Sequence, residues 1–206
     1  MSICYICGAV PTRHRPVPTP GDLVIAADAG WKQCGEVKPD LVVGDFDSLG
    51  YVPEDVEVLR HPVRKDDTDA MLAVRIGLER GYRRFVLLGC SGGRLDHTLA
   101  NLQVLQFLAD HGARGFLQGE EDCAALVCGE TLTLADGAGR VSVFALEKTV
   151  EGVCLTGLSY PLANATLTDR FPLGVSNAFI GEPVSIRADG RLLVLWDGCW
   201  QQAGYL

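Results

Sequence analysis

A chain of 206 residues, 48% hydrophobic and 21% charged with no biased tract, is long enough for one domain or two small ones around a real core. Its net charge of −8 argues against a duplex-DNA or anionic-membrane binder, because such partners need a basic face. No apolar run approaches the roughly 18 residues of a membrane span. Met1-Ser2-Ile3-Cys4 lacks a basic start followed by an apolar stretch, so export is not expected and a cytoplasmic location with reduced thiols is.

The first half of the chain alternates. Strand-like runs at residues 3–10, 23–27, 41–43, 56–60, 85–88 and 113–117 are separated by helical patterns. Residues 67–80 carry Met71, Leu72, Val74, Ile76 and Leu78, and residues 95–109 carry Leu99, Leu102, Leu105, Phe107 and Leu108. That rhythm predicts a Rossmann-like α/β domain, a mainly parallel sheet with helices on its faces. Cys4-Tyr5-Ile6-Cys7 is a C-x-x-C inside the first strand, and no second pair or close histidines complete a zinc set, so it reads as core. Residues 11–21, with four prolines, read as a loop between the first two strands.

Near Gly119 the rhythm changes. Short runs of β-formers follow at residues 124–128, 131–134, 141–146, 152–155, 165–167, 184–187 and 192–196, separated by turn signals such as Asp136-Gly137 and Asp189-Gly190. The expected organisation is an α/β domain over residues 1–119 and an all-β sandwich over residues 120–206.

Acidic residues gather where the predicted strands end. Asp28 follows the second strand, Asp45 and Asp47 follow the third in Val43-Gly44-Asp45-Phe46-Asp47-Ser48, Asp66, Asp67 and Asp69 follow the fourth, and Asp96 follows the fifth. In a parallel sheet all of these lie on the carboxyl edge, where ligands bind. Of 26 Asp and Glu, eleven lie between Asp28 and Asp69, against five Lys and Arg. Carboxylates as close as Asp45 and Asp47 repel unless a cation compensates them, and oxygen donors suit Mg²⁺ carrying substrate phosphates. In Lys65-Asp66-Asp67-Thr68-Asp69, either Thr68 or Asp67 can cap the following helix, and Asp69 is a third candidate metal ligand. Gly89-Cys90-Ser91-Gly92-Gly93-Arg94-Leu95-Asp96-His97 is a glycine-rich strand-to-helix turn that suits phosphate, with Arg94 placed to fork onto its oxygens. It is neither a P-loop nor a dinucleotide motif. His97 reads first as a hydrogen-bonded structural residue and second as a proton carrier.

Taken together and in order, Ala26-Ala27-Asp28-Ala29-Gly30, Gly44-Asp45-Phe46-Asp47-Ser48, Lys65 to Asp69, Gly92-Gly93-Arg94-Leu95-Asp96-His97 with Asn101, and Gly174-Val175-Ser176-Asn177 resemble the thiamine pyrophosphokinase family across almost the whole chain. The resemblance implies a homodimer that transfers the pyrophosphoryl group of ATP to the hydroxyl of thiamine with Mg²⁺, giving thiamine diphosphate and AMP. It implies a nucleotide-binding first domain and a second domain for thiamine and dimerisation. By position, Asp45, Asp47 and Asp69 match the metal carboxylates, Asp28, Lys65, Asp66, Thr68, Arg94 and Asp96 the nucleotide and phosphate side, and Ser176 and Asn177 the thiamine side. Many bacterial members carry Glu after that Ser-Asn pair, where this chain has Ala178, a departure that bears on affinity or ring preference. Asp96 and Asp69 are both candidates to accept the alcohol proton. Trp196 and Tyr160 are candidates to stack on the thiamine cation, and both are also candidates for core.

Overall fold

The computed structural model describes residues 2–44, 56–59 and 67–206. The chain divides into two compact units, Met1–Glu120 and Glu121–Leu206.

In the first unit, β1 (Cys4–Cys7), β2 (Leu23–Ala27), β3 (Leu41–Val43), β4 (Glu57–Leu59), β5 (Arg84–Leu88) and β6 (Arg114–Gln118) run parallel in the order β4-β3-β2-β1-β5-β6. Every residue of β1, β2 and β3 is buried, as are the last four of β5. Strands covered on both faces have no polar face to show, which is why these segments read as unbroken apolar runs. Only the edge strand β4 leaves a residue, Glu57, exposed. Phe85 is wholly buried, and its burial contributes roughly 2–3 kcal/mol.

Among the described residues two α-helices cover this sheet, α1 (Asp69–Glu79) and α2 (Leu95–Asp110). α1 buries Ala73, Val74, Ile76 and Gly77, and α2 buries Asn101, Val104, Leu105 and Leu108, the three- and four-residue spacing of one helical face. α1 approaches the sheet closely at Gly77, where a Cβ would lie 2.6 Å from the Phe85 ring and 2.9 Å from the Cys4 Sγ. Residues three apart on a strand point to opposite faces. Cys4 therefore faces α1, while Cys7 shares a hydrogen bond with Cys34 that, with burial, holds the Cys7 thiol well above its ordinary pKa. All eight cysteines are free, so the C-x-x-C is packing.

The second unit contains β7 (Asp122–Cys128), β8 (Thr131–Leu134), β9 (Arg140–Ala145), β10 (Val150–Thr156), β11 (Leu162–Leu167), β12 (Asn177–Ala178), β13 (Val184–Arg187), β14 (Arg191–Asp197) and β15 (Ala203–Tyr205). They pair antiparallel in two runs, β12-β9-β14-β7 and β11-β10-β13-β8-β15. Burial alternates along β8 and β9, whereas β7 is buried without a break from Cys123 to Val127. Leu132 and Leu134 of β8, and Val141, Val143 and Ala145 of β9, are buried while their neighbours are not, as expected of sheets with one covered face. Trp196, 1% exposed, is a core residue of this unit and has no face left for a ligand, which corrects its candidacy as a stacking ring. β12 and β15 were not expected; each is only two or three residues long. Among the described residues no helix is long and apolar enough to cross a membrane.

Candidate active site

From β1 the chain steps outward to β2, β3 and β4, then returns to place β5 on the other flank of β1. That reversal opens a crevice at the carboxyl ends of β1 and β5, the place where open α/β sheets bind ligands. The strands end level there, Cys7 pairing with Ala26 on one side and Leu88 on the other. The segments leaving β1 and β5 are tied backbone to backbone, Gly8 N–H to the Leu88 carbonyl at 2.7 Å and Val10 N–H to the Gly89 carbonyl at 2.9 Å. Gly89 has φ +63°, and a Cβ there would stand 2.6 Å from the Val10 oxygen, so only glycine fits.

Asp28 sits directly after β2, on one side of the crevice. Its backbone is left-handed, φ 46°, it is 7% exposed, and its Oδ1 has no hydrogen-bond partner among the described residues. Gly44 packs on it so closely that a Cβ would lie 3.0 Å from the Asp28 Cβ. A buried carboxylate oxygen without a donor is costly and suits a cation or a donor brought by ligand. Asp45, Asp47, Lys65 and Asp66 lie outside the described residues. At the start of α1, Thr68 is the cap, its Oγ1 accepting from the Met71 N–H at 3.2 Å, whereas Asp67 pairs with Arg75 at 3.2 Å. Asp69 opens the first turn of α1.

Across β1 from Asp28, the β5–α2 turn carries Arg94 at the cap position of α2. Its guanidinium is forked onto Asp96, Nε to Oδ1 at 3.1 Å and Nη2 to Oδ2 at 2.5 Å, with both side chains mostly in solvent. The Asp96 Oδ1 also accepts from the His97 N–H at 3.0 Å. Arg94, first, and then the His97 amide hold the Asp96 carboxyl below the usual carboxylate range. Cys90 at the base of the turn is buried, which pushes its thiol up to about 12 and keeps it protonated and inert.

The β1–β2 loop also reaches this edge, which sequence reasoning missed. Arg13 N–H donates to Glu120 Oε2 at 2.8 Å, and the His14 Nε2 lies 3.1 Å from the Glu120 carbonyl and 3.5 Å from the Nε2 of the wholly buried Gln118. The available signal was a glutamine ending an apolar strand together with cations in the loop after the first strand.

In the second unit, Ser176 has a left-handed backbone, φ 61°, with its N–H on the Ser142 Oγ at 3.0 Å. Asn177 is buried and spends its amide on the chain itself. Its Oδ1 accepts from the Tyr160 and Ala178 N–H groups, both at 2.9 Å, and its Nδ2 donates to the Tyr160 carbonyl at 2.7 Å. Tyr160 is 70% exposed, and Phe171, Leu173, Val175 and Ile180 are exposed as well.

Known proteins share both halves. The sequence profile described as "Thiamin pyrophosphokinase, catalytic domain" matches residues 19–117, and that described as "Thiamin pyrophosphokinase, vitamin B1 binding domain" matches residues 133–193. The chain belongs to the thiamin pyrophosphokinase family. The thiamine pyrophosphokinase of Bacillus subtilis (strain 168) is 28% identical over 145 residues, covering 66% of this chain and 68% of its own. The fold is similar to the crystal structure of thiamine pyrophosphokinase from Bacillus subtilis, with TM-score 0.82 and 23% identity over 96% of this chain and 99% of that one. It is similar also to a thiamin pyrophosphokinase family protein from Enterococcus faecalis, with TM-score 0.81 and 25% identity over 97% of this chain and 100% of that one. Within the thiamin pyrophosphokinase match, Asp28 and the Gly89–Asp96 turn fall in the catalytic profile, and Ser176 and Asn177 fall in the vitamin B1 profile. Among the described residues no group of three or more His, Cys, Asp or Glu could hold a metal ion. Two of the three predicted metal ligands, Asp45 and Asp47, lie outside those residues.

Proposed function

We infer that this protein transfers the pyrophosphoryl group of ATP to the hydroxyl of thiamine, releasing thiamine diphosphate and AMP. The observation that carries the reading, beside family membership, is the pairing of opposites at one crevice. A buried carboxylate oxygen without a partner among the described residues, on Asp28, stands on one side of β1, and a glycine-rich turn ending in Arg94 stands on the other.

The finer reading assigns the first unit as a Rossmann-like nucleotide-binding domain and the second as a β-sandwich that binds thiamine through Ser176 and Asn177 and forms a homodimer in the cytoplasm. The exposed Phe171, Leu173, Val175 and Ile180 support a covered surface there. Asp28 has the oxygen-only chemistry that suits Mg²⁺ or a donor of the nucleotide, and Asp69 would join Asp45 and Asp47 around the ion. Bound Mg²⁺ would neutralise charge on the phosphate oxygens. Attack by a neutral alcohol on the β-phosphorus needs alignment and charge neutralisation more than covalent help. Arg94 would leave Asp96 to fork onto phosphate oxygens, with Lys65 as the second cation and Asp66 and Thr68 beside the nucleotide. Asp96 or Asp69 would take the alcohol proton as the new O–P bond forms and AMP departs. Purified protein with ATP and Mg²⁺, with and without thiamine, tests this. AMP and thiamine diphosphate are expected in equal amounts and only with thiamine; AMP or ADP formed equally without it would replace the transferase by a hydrolase.

A further inference from the structure

Helix α2 begins without a side-chain cap, since Arg94 occupies that position and turns to Asp96 instead. The turn before it contains two glycines with positive φ, Gly89 and Gly92, so the backbone has little intrinsic reason to stay in one shape. Yet this turn must hold Arg94 steady if Arg94 is to meet a phosphate.

The holding comes from inside the helix. Asn101, 6% exposed, donates its Nδ2–H to the carbonyl of Cys90, eleven residues back, at 2.7 Å. One turn nearer the end, the Thr98 Oγ1 accepts from the Gly92 N–H at 3.3 Å and donates to the Arg94 carbonyl at 3.3 Å. Asn101 shares its buried face with Val104, Leu105 and Leu108. An amide on such a face is a poor choice for packing and for helix propensity, because its polar atoms lose water and its side chain competes with the backbone. The bond to Cys90 is what justifies it.

We propose that Asn101, supported by Thr98, is a positioning residue for pyrophosphoryl transfer. It ties the β5–α2 turn from the interior of α2, doing the work of a cap without occupying the first-turn amides that a capping side chain would cover. The Leu95 and Asp96 amides stay available to a nucleotide phosphate, the His97 amide being held by Asp96 Oδ1 at 3.0 Å, and Arg94 stays at their side. This rests on the reading of the glycine-rich turn as the phosphate site.

The test measures ATP affinity in Asn101→Ala and Thr98→Val, by calorimetric titration with Mg²⁺ and by steady-state rates with ATP and thiamine varied separately. Loss of one buried hydrogen bond predicts a Kd and KM for ATP raised about tenfold in Asn101→Ala and about threefold in Thr98→Val, with the thiamine KM within about twofold of the parent. A purely structural role lowers the amount of active protein and leaves both KM values where they were. Unchanged ATP affinity in a folded Asn101→Ala overturns the proposal, and if that variant does not fold, unchanged ATP affinity in Thr98→Val does so. ATP binding by the parent without thiamine-dependent turnover would fault the proposed reaction while the same affinity comparison still decides the role of Asn101. A parent that does not bind ATP overturns both.

Discussion

The two helices of the first unit start at the same edge of the same sheet and are finished in opposite ways. α1 is closed by Thr68, whose hydroxyl occupies the Met71 amide, and its first turn presents a carboxylate, Asp69. α2 is left open by Arg94, and its first turn is braced from within by Thr98 and Asn101. A closed end is built for stability and can hold a charge in a fixed place. An open end gives up that stability and keeps its N–H groups for an anion. On the function proposed above, the edge would sort into an acidic side for a cation and a cationic side for phosphate.

The largest effect should come from removing the charged group that each end presents. Asp69→Asn is expected to lower kcat/KM about a thousandfold and Arg94→Ala about a hundredfold, in the range for lost transition-state contacts, with melting curves close to the parent. Arg94→Lys should recover only part of that loss, because an ammonium cannot reproduce the two-pronged contact of a guanidinium. Turnover within tenfold of the parent in either single variant would remove that residue from the reaction. The intermediate effect belongs to the closed end. Thr68→Ala should cost about 1 kcal/mol of stability, a fall of about 2–4 °C in melting temperature for a chain of this size. ATP affinity should fall by no more than about threefold, because the Thr68 hydroxyl is spent on the Met71 amide and only the position of the residue beside the nucleotide is disturbed. A Thr68→Ala variant that melts like the parent but binds ATP tenfold more weakly would mean that this hydroxyl serves the nucleotide rather than the helix.

Much of this arrangement can be read from the residues alone, and the exceptions have physical reasons. The apolar runs of β1, β2, β3 and β5 are unbroken because both faces of those strands are covered, so their positions and parallel pairing follow from pattern. The placement of Asp28 directly after β2, and of Asp69 and Asp96 in the first turns of α1 and α2, then follows from topology. What pattern does not carry is tertiary. The choice between Thr68 and Asp67 as cap depends on Arg75 drawing Asp67 away. The burial of Trp196 depends on the pairing of β14 with its neighbours, β12 and β15 are too short to show a period of two, and His14 meets Gln118 and Glu120 across about a hundred positions. Asn101 stands out in the sequence only as a polar residue on an apolar stripe, and its bond to Cys90 exists only once the turn has formed.

The smallest effect is also the one that separates the two helix ends most cleanly. Arg94 and Asp96 form a forked pair with both partners in solvent, and pairs of that kind add little to stability. The pair nonetheless holds Asp96 below the usual carboxylate range. A carboxyl whose pKa is depressed in the folded state stabilises that state above its unfolded pKa of about 3.9, and the contribution is lost as pH falls through the lower folded value. Asp96→Asn should therefore melt barely below the parent from pH 5 to 8, in contrast to Thr68→Ala, and even that difference should vanish at the acid end of the range in which the parent remains folded. A gap that is large at neutral pH, or that widens on acidification, would mean that the Arg94–Asp96 pair is a structural brace and that α2 is closed at its start after all.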